Sequence, residues 1–230
     1  MMPTRLEKNI LKVDRRIRAA EQASGRATGA VSLLAVSKTK PSELVRLAHG
    51  FGLSAFGENY AQEMADKVAA LADLPLSWHF IGPIQSNKTA FIAEISDWVH
   101  SVDRLKVARR LSEQRPDNKA PLNVLVQINT SNEDSKSGVE PDAAPELIAA
   151  INELPRLRLR GLMTIPAATS DQTAQREPFR QLRELMDRLS DPLPQLDTLS
   201  MGMSGDLEAA VSEGANIVRV GTDVFGARYN

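Results

Sequence analysis

The sequence of 230 residues contains no cysteine. This excludes disulfides, thiolate nucleophiles and metal sites built on cysteine ligands. Charge of one sign is also lacking, because 28 Lys and Arg stand against 29 Asp and Glu. We therefore expect no basic footprint for nucleic acid or for a membrane surface. No apolar run approaches the ~20 residues of a membrane span, and the N-terminus lacks the apolar core of a signal peptide. A cytoplasmic protein is expected.

What the sequence does contain is a regular alternation of short apolar segments and amphipathic ones. A leading helix is predicted over about residues 4–22, where Thr4 and Glu7 have the spacing of a capping box. Eight strand–helix units follow. The predicted strands are 31–36, 53–57, 78–82, 98–102, 122–128, 157–165, 196–201 and 217–220.

Apolar strands with few polar interruptions are typical of a parallel sheet that is covered on both faces. Eight such units favour a single α/β domain over residues 1–230, a (β/α)₈ TIM barrel at about 31–228 with an extra N-terminal helix. A doubly wound open sheet is the alternative.

A barrel of this kind carries its active site at the carboxyl ends of the strands. Lys38 directly follows the first predicted strand. Desolvation at the barrel mouth would lower the pKa of this amine and make it a candidate for Schiff-base formation. A surface lysine is the alternative interpretation. Lys40, which precedes Pro41, is expected to face solvent.

Two glycine-rich turns follow the seventh and eighth predicted strands, at 200–205 and 220–222. Glycines allow backbone N–H groups to approach a phosphate, and these two loops are the recurrent phosphate site of barrels. Ser204 could instead be the N-cap of a helix predicted over 204–213.

Three further polar residues fall within predicted strands. Arg219 is interpreted either as half of a buried ion pair with an acidic residue such as Glu58, or as a donor to a ligand's ring or carboxylate. His79 and His100 lack metal-ligand spacing and are predicted to be hydrogen-bonded core residues, and no metal site is expected.

A strand-end lysine opposite a phosphate site suits pyridoxal 5′-phosphate, whose aldehyde can reach an amine while its phosphate is anchored. The same pair suits aldolases that form a Schiff base with a phosphorylated sugar. The residues alone leave both possibilities open.

Several segments together closely resemble the pyridoxal phosphate homeostasis proteins, which are related to the N-terminal domain of alanine racemase. The resemblance runs from about Val31 to Arg228. The segments that carry it are AVSKTKP at 35–41, FGENY at 56–60, WHFIG at 78–82, QSNK at 85–88, LSMGMS at 199–204, VRVGT at 218–222 and FGAR at 225–228.

The resemblance implies the barrel of the racemase domain and a cofactor, pyridoxal 5′-phosphate. It implies that Lys38 holds the cofactor as a Schiff base and that Arg219 faces the pyridine nitrogen. It also implies a phosphate-binding site formed by Ser204, Gly221 and Thr222, and it places Asn59 near the cofactor ring.

The function implied is intracellular homeostasis of vitamin B6 and supply of the cofactor to apo-enzymes that need it. A monomer is expected rather than an oligomer. The alternative is an amino-acid racemase or another Schiff-base enzyme. A racemase needs a second acid or base on the opposite face of its substrate, and the candidates in this sequence are Tyr60 and His79. Catalytic turnover is not expected, because an arginine beside the pyridine nitrogen weakens the ring as an electron sink.

Overall fold

A computed structural model of the protein describes residues 4–131 and 137–227, and only the backbone of Gln172. The first element of the described residues is helix α1, Arg5–Ala23, which confirms the predicted leading helix. The Thr4 Oγ1 atom accepts a hydrogen bond from the Glu7 backbone N–H at 3.2 Å, so that one orphan donor of the first turn is satisfied. The apolar stripe of α1 is buried against the barrel.

Within the described residues, eight parallel strands close into a barrel in sequence order. This confirms the predicted TIM barrel and excludes the open sheet. Strands β1 to β8 are Ser32–Val36, Ala55–Glu58, Ser77–Phe80, Trp98–Val102, Leu122–Gln127, Leu157–Met163, Thr198–Ser200 and Ile217–Val220.

Each strand is followed by a helix, and these helices form the outer layer. Helices α2 to α9 are Ser42–Gly50, Ala61–Ala70, Thr89–Ile95, Leu105–Gln114, Ala144–Asn152, Gln172–Ser190, Leu207–Ser212 and Thr222–Phe225. In the part of the chain that the structure describes, no helix is both long enough and apolar enough to cross a membrane. Arg228, the predicted end of the barrel, lies outside the described residues.

The core has two parts because successive side chains of a strand point to opposite faces. The larger part lies between the strands and the helices. The smaller part is a separate cluster of Leu34, Val36 and Ile81 inside the barrel. Polar side chains also lie in the interior. The Nδ1 atom of His79 lies 2.9 Å from the Nε2 atom of His100, and both rings are buried. The prediction that these two residues are hydrogen-bonded core histidines is therefore confirmed.

Glycine is required at one point of the barrel wall, where β6 pairs with β7. Gly161 has a φ of +153°, and a Cβ atom built on it would collide with the carbonyl oxygen of Thr198. We expect Gly161→Ala to lower the free energy of unfolding by about 1–3 kcal/mol, the range for overpacking a rigid neighbour.

Urea unfolding would measure this loss, with Gly50→Ala as the control. A Cβ atom on Gly50 would meet nothing within 4 Å, so this substitution should change stability by less than about 1 kcal/mol. Equal stability of the two variants would contradict the assigned backbone of β6.

Candidate functional site

The predicted site residues lie at the carboxyl ends of four strands that are neighbours in the barrel, β7, β8, β1 and β2. Leu34 of β1 is paired with Arg219 of β8, and Val36 of β1 is paired with Gly57 of β2. The loops that carry Lys38 and Asn59 therefore leave the barrel side by side. A single ligand at the mouth could reach all four strand ends.

Lys38 lies two residues beyond Val36, on the side of β1 that faces the barrel interior, and it is half-buried. It occupies a tight turn, in which the Lys40 N–H donates to the Ser37 carbonyl at 3.0 Å. Thr39 in this turn has a φ of +63°, and within the described residues it is the only non-glycine residue with a positive φ. Such a conformation is unfavourable for a β-branched residue and is concentrated at functional sites.

The expectation that Lys40 faces solvent is wrong. Its side chain is buried, with 9% of the residue exposed, and its Nζ atom donates to the carbonyl oxygens of Ala227 at 2.9 Å and Gly226 at 3.3 Å. Carbonyl groups at the end of a helix are free to accept such bonds. Lys40 thus ties the loop after β1 to the segment after α9.

A buried ammonium group that was not predicted from the sequence supports the backbone of the Lys38 turn. The Lys67 Nζ atom lies 2.7 Å from the Ser37 carbonyl oxygen and 2.7 Å from one carboxylate oxygen of each of Glu58 and Glu63. The Glu63 carboxylate also accepts the Thr39 N–H. Both neighbours of Lys38 are therefore held by this cluster.

Glu58 is fully buried, and burial raises the pKa of its carboxyl while the nearby Lys67 ammonium opposes the shift. Its Oε1 atom accepts from Lys67 and from the Ser37 hydroxyl, at 2.7 and 2.6 Å. A signal for this pair does exist in the sequence. Lys67 continues the buried face of α3 that Met64 occupies, and Glu63 precedes it by four residues.

Arg219 is 3% exposed and does not pair with Glu58, so that interpretation is wrong. The two side chains point to opposite faces of the barrel wall, since Glu58 meets α3 outside. Arg219 donates instead to two neutral acceptors at 2.8 Å, the Ser200 hydroxyl and the Thr164 carbonyl. Burial lowers the pKa of Arg219 to about 10, which still leaves it charged at neutral pH.

No carboxylate among the described residues lies within ion-pair distance of Arg219. A buried charge without a partner is costly. The two described hydrogen bonds use only two of the five N–H donors of the guanidinium. The arrangement therefore suits a ligand that brings an acceptor or a negative charge into the barrel.

The loops after β7 and β8 are held together by one side chain of α1. The Arg16 guanidinium donates to the Ser204 carbonyl at 2.9 Å, to Asp223 Oδ2 at 2.6 Å and to both carboxylate oxygens of Glu208. Because Thr222 directly precedes Asp223, these bonds hold Thr222 and Ser204 near each other. A shared anion site requires this proximity.

Ser204 is not a helix N-cap, so that alternative is wrong. Helix α8 begins three residues later than predicted, at Leu207, with Asp206 at the N-cap position. The reason is local: the Asp206 carboxylate accepts the Met203 N–H at 2.6 Å and closes a turn there. This leaves the Ser204 hydroxyl outside the helix cap.

Gly221 allows the loop after β8 to approach β1. A Cβ atom at Gly221 would lie 3.2 Å from the Val36 carbonyl oxygen, which is closer than most side chains come to backbone.

Asn59, on the other side of β1, is half-buried, and its Oδ1 atom is buried without a hydrogen-bond partner among the described residues. It borders a cavity of about 270 Å³ beside α3. Orphaned polar atoms of this kind are uncommon and call for a partner.

Comparison with known proteins agrees with the fold and covers nearly the whole chain. The sequence profile of the family described as "Alanine racemase, N-terminal domain" matches residues 10–229. The chain is 61% identical over 223 residues to the pyridoxal phosphate homeostasis protein of Pseudomonas aeruginosa, covering 97% of this chain and 96% of that protein. The resemblance found in the sequence is therefore confirmed.

Solved structures are similar as well. PipY of Synechococcus elongatus with pyridoxal phosphate bound superimposes with a TM-score of 0.77 at 36% identity, covering 92% of this chain and 99% of that chain. An alanine racemase of Clostridium difficile superimposes with a TM-score of 0.76 at 15% identity, and shares the fold over 57% of its own chain.

Removing Lys67 alone should destabilise the protein more than removing Lys67 together with the Glu58 charge. Lys67→Met should lower the free energy of unfolding by about 3–5 kcal/mol, because it leaves the Glu58 carboxylate buried without its cation. Adding Glu58→Gln removes that stranded charge and should restore most of the loss.

Urea unfolding of the single and double variants tests this, with Lys88→Met as the control at an exposed lysine. The control should change stability by no more than about 0.5 kcal/mol. A double variant that is no more stable than Lys67→Met would show that the pair does not act as described.

Proposed function

We propose that this chain, which belongs to the alanine racemase N-terminal domain family, binds pyridoxal 5′-phosphate at the carboxyl ends of β7, β8, β1 and β2 and serves intracellular homeostasis of this cofactor. The observation that carries the proposal is the 61% identity over 223 residues to a pyridoxal phosphate homeostasis protein. The geometry of the four strand ends supports it independently.

The donor set of the site fits the cofactor. Arg219 is a buried cation held only by neutral acceptors among the described residues, and Gly221 keeps the space beside Val36 open. Asn59 stands apart from this donor set, because the atom that it leaves without a partner is an amide oxygen, which can only accept. Pyridoxal phosphate brings a dianionic phosphate, a ring nitrogen that accepts, and an oxygen on the ring. When bound, it supplies an aldehyde that condenses with a primary amine with loss of one water molecule.

Lys38 is the amine we assign to that condensation. It extends the interior-facing side of β1, whereas Lys40 is turned away into contacts with the carbonyls of Ala227 and Gly226. The cluster of Lys67, Glu58 and Glu63 fixes the backbone on both sides of Lys38. The amine is therefore presented from a rigid turn, which keeps its position at the barrel mouth well defined.

The phosphate is assigned to the loops after β7 and β8. The hydroxyl groups of Ser204 and Thr222 can donate to it, and Gly221 contributes an unobstructed backbone. Arg16 joins these loops from the outer side through the Ser204 carbonyl and Asp223, so its role is to position them.

Arg219 is assigned to the pyridine nitrogen. A guanidinium can only donate, so it favours the unprotonated form of a nitrogen that it faces. An unprotonated ring withdraws electrons less strongly, which suits storage and delivery of the cofactor better than carbanion chemistry.

An amino-acid racemase is the second function that the sequence leaves open. It requires an additional base, for which Tyr60 and His79 are the candidates. His79 is unsuitable, because both its ring nitrogens are engaged and burial lowers its pKa to about 3. Tyr60 is 58% exposed, and no described hydrogen bond holds its hydroxyl in place. We therefore favour a carrier over a racemase, and we further propose that it is a cytoplasmic monomer whose partners are apo-enzymes that need pyridoxal phosphate.

The first prediction of this proposal concerns the site of attachment. After incubation with pyridoxal phosphate and reduction with borohydride, peptide mass spectrometry should find the label on Lys38 and not on Lys40. Lys38→Ala should lose the visible absorbance band and remain folded, because this residue is not part of the core. Lys40→Ala is the matched control and should still be labelled at Lys38. Label on Lys40 in the unaltered protein would refute the assignment.

A second prediction concerns the phosphate. A hydrogen bond to a charged group contributes roughly 1.5–3 kcal/mol, so Ser204→Ala should weaken pyridoxal phosphate binding about ten- to a hundredfold. Binding of pyridoxal, which has no phosphate, should be weak and nearly unaffected.

Equilibrium titration of both ligands would measure these affinities. Ser212→Ala is the matched control, because the Ser212 hydroxyl donates to the Ala209 carbonyl within α8, away from the loops. Equal weakening of both ligands by Ser204→Ala would place the phosphate elsewhere.

A further inference from the structure

A continuous chain of hydrogen bonds crosses the barrel interior from Arg219 to Ser77. The Arg219 Nη1 atom lies 2.8 Å from Ser200 Oγ, which lies 2.9 Å from His100 Nδ1. The His100 Nε2 atom lies 2.9 Å from His79 Nδ1, and His79 Nε2 lies 3.1 Å from Ser77 Oγ. The chain thus connects β8, β7, β4 and β3, and it ends at the amino end of β3 on a half-buried serine.

The direction of every bond in this chain follows from its first member. Arg219 can only donate, so the Ser200 oxygen accepts from it. Ser200 is fully buried, and its hydroxyl proton has no described acceptor other than His100 Nδ1, so we assign the proton to that hydrogen bond. His100 must then carry its own proton on Nε2 and donate to His79 Nδ1, and His79 in turn donates from Nε2 to Ser77.

Both histidines are held in their uncharged form. Burial lowers the pKa of His79 to about 3 and the pKa of His100 well below its ordinary value, and the nearby Arg219 charge lowers the pKa of His100 further. The His79 ring also stacks on Trp98, with 5.5 Å between ring centroids and 2° between planes. Packing and hydrogen bonding thus allow each ring one orientation, and neither adds a charge to the interior.

We propose that His100 and His79 are positioning residues for Arg219: through Ser200, they fix the hydroxyl so that its lone pair and not its proton faces the guanidinium. This inference rests on the proposed function, because it assigns Arg219 to the cofactor ring. Without the histidine acceptor, the Ser200 proton could rotate toward Arg219 and the guanidinium would lose one of its two neutral supports.

The chain orients Arg219 and does not conduct protons to it. An arginine keeps its proton in a protein, so no proton can leave or enter at this end. The two groups that accept hydrogen bonds from Arg219 are neutral, so they do not cancel its positive charge. The charge therefore remains available to the ring nitrogen of the ligand.

The first test uses the ligand-free protein, so that it is independent of cofactor binding. The protein has three histidines in all, and ¹⁵N NMR of histidine-labelled protein reports which ring nitrogen of each carries the proton. We expect Nε2–H in both His79 and His100. His49 is an internal reference of the opposite kind, because its Nδ1 atom lies 2.9 Å from the Leu53 carbonyl and must donate to it.

Ser200→Ala should disturb this pattern at both His100 and His79, although the substitution itself touches only the first. Ser96→Ala is the control, since Ser96 is also buried but its hydroxyl contacts Met64 and no member of the hydrogen-bond chain. A proton on Nδ1 of His100 in the unaltered protein, or a Ser200→Ala spectrum unchanged at His79, would overturn the inferred direction of the chain.

The second test measures the consequence for the ligand. The affinity for pyridoxal phosphate is compared with that for its 1-deaza analogue, in which a C–H group replaces the ring nitrogen. We expect the unaltered protein to prefer pyridoxal phosphate, and Ser200→Ala to reduce the ratio of the two affinities by about tenfold. Ser96→Ala should leave the ratio unchanged.

The two tests separate the inference from the proposed function. If neither ligand binds the unaltered protein, the proposed function fails, and the positioning role fails with it whatever tautomers are observed. If pyridoxal phosphate binds but Ser200→Ala leaves the affinity ratio unchanged, the positioning role alone is overturned.

Discussion

The structure depends most on a single electrostatic constraint, a positive charge buried inside the barrel without a carboxylate beside it. Arg219 is held by a hydroxyl and a carbonyl group, and the two histidines nearest to it along the hydrogen-bond chain are neutral. An interior of this kind is costly when empty and favourable when an acceptor or anion enters. The Asp206 carboxylate acts on Arg219 only from a distance: it opposes the lowering of the Arg219 pKa but makes no ion pair with the guanidinium.

The positions that we propose for cofactor binding at the barrel mouth are held from outside the barrel. Lys67 on α3 and Arg16 on α1 each form one bond to a backbone carbonyl of a loop and further bonds to carboxylate groups of strands or helices. The first fixes the turn around Lys38, and the second joins the loops of Ser204 and Thr222. Parallel barrels commonly use loops for chemistry and helices for support. Here the supporting contacts are made by buried or half-buried cations.

Much of the fold could be predicted because strand and helix periodicity is a local property. The bounds of β4 and β8 were predicted without error, and Lys38 was correctly placed at the end of β1. Local patterns carry no information about which distant side chains meet. Lys40 looked exposed because its acceptors lie 186 and 187 residues away, and Arg219 could be given the wrong partner because the faces of β2 and β8 are not distinguished by composition. Arg16 is one of several arginines on the polar face of α1, and only the tertiary structure distinguishes it.

The central claim is that one cofactor binds at the ends of β7, β8, β1 and β2, and a crystal structure of the protein with pyridoxal 5′-phosphate tests it most directly. The account predicts continuous electron density from the cofactor to the Lys38 Nζ atom, with the phosphate within hydrogen-bond distance of both Ser204 and Thr222. The ring nitrogen should face Arg219. A cofactor bound at another lysine, or a phosphate outside these two loops, would contradict the account.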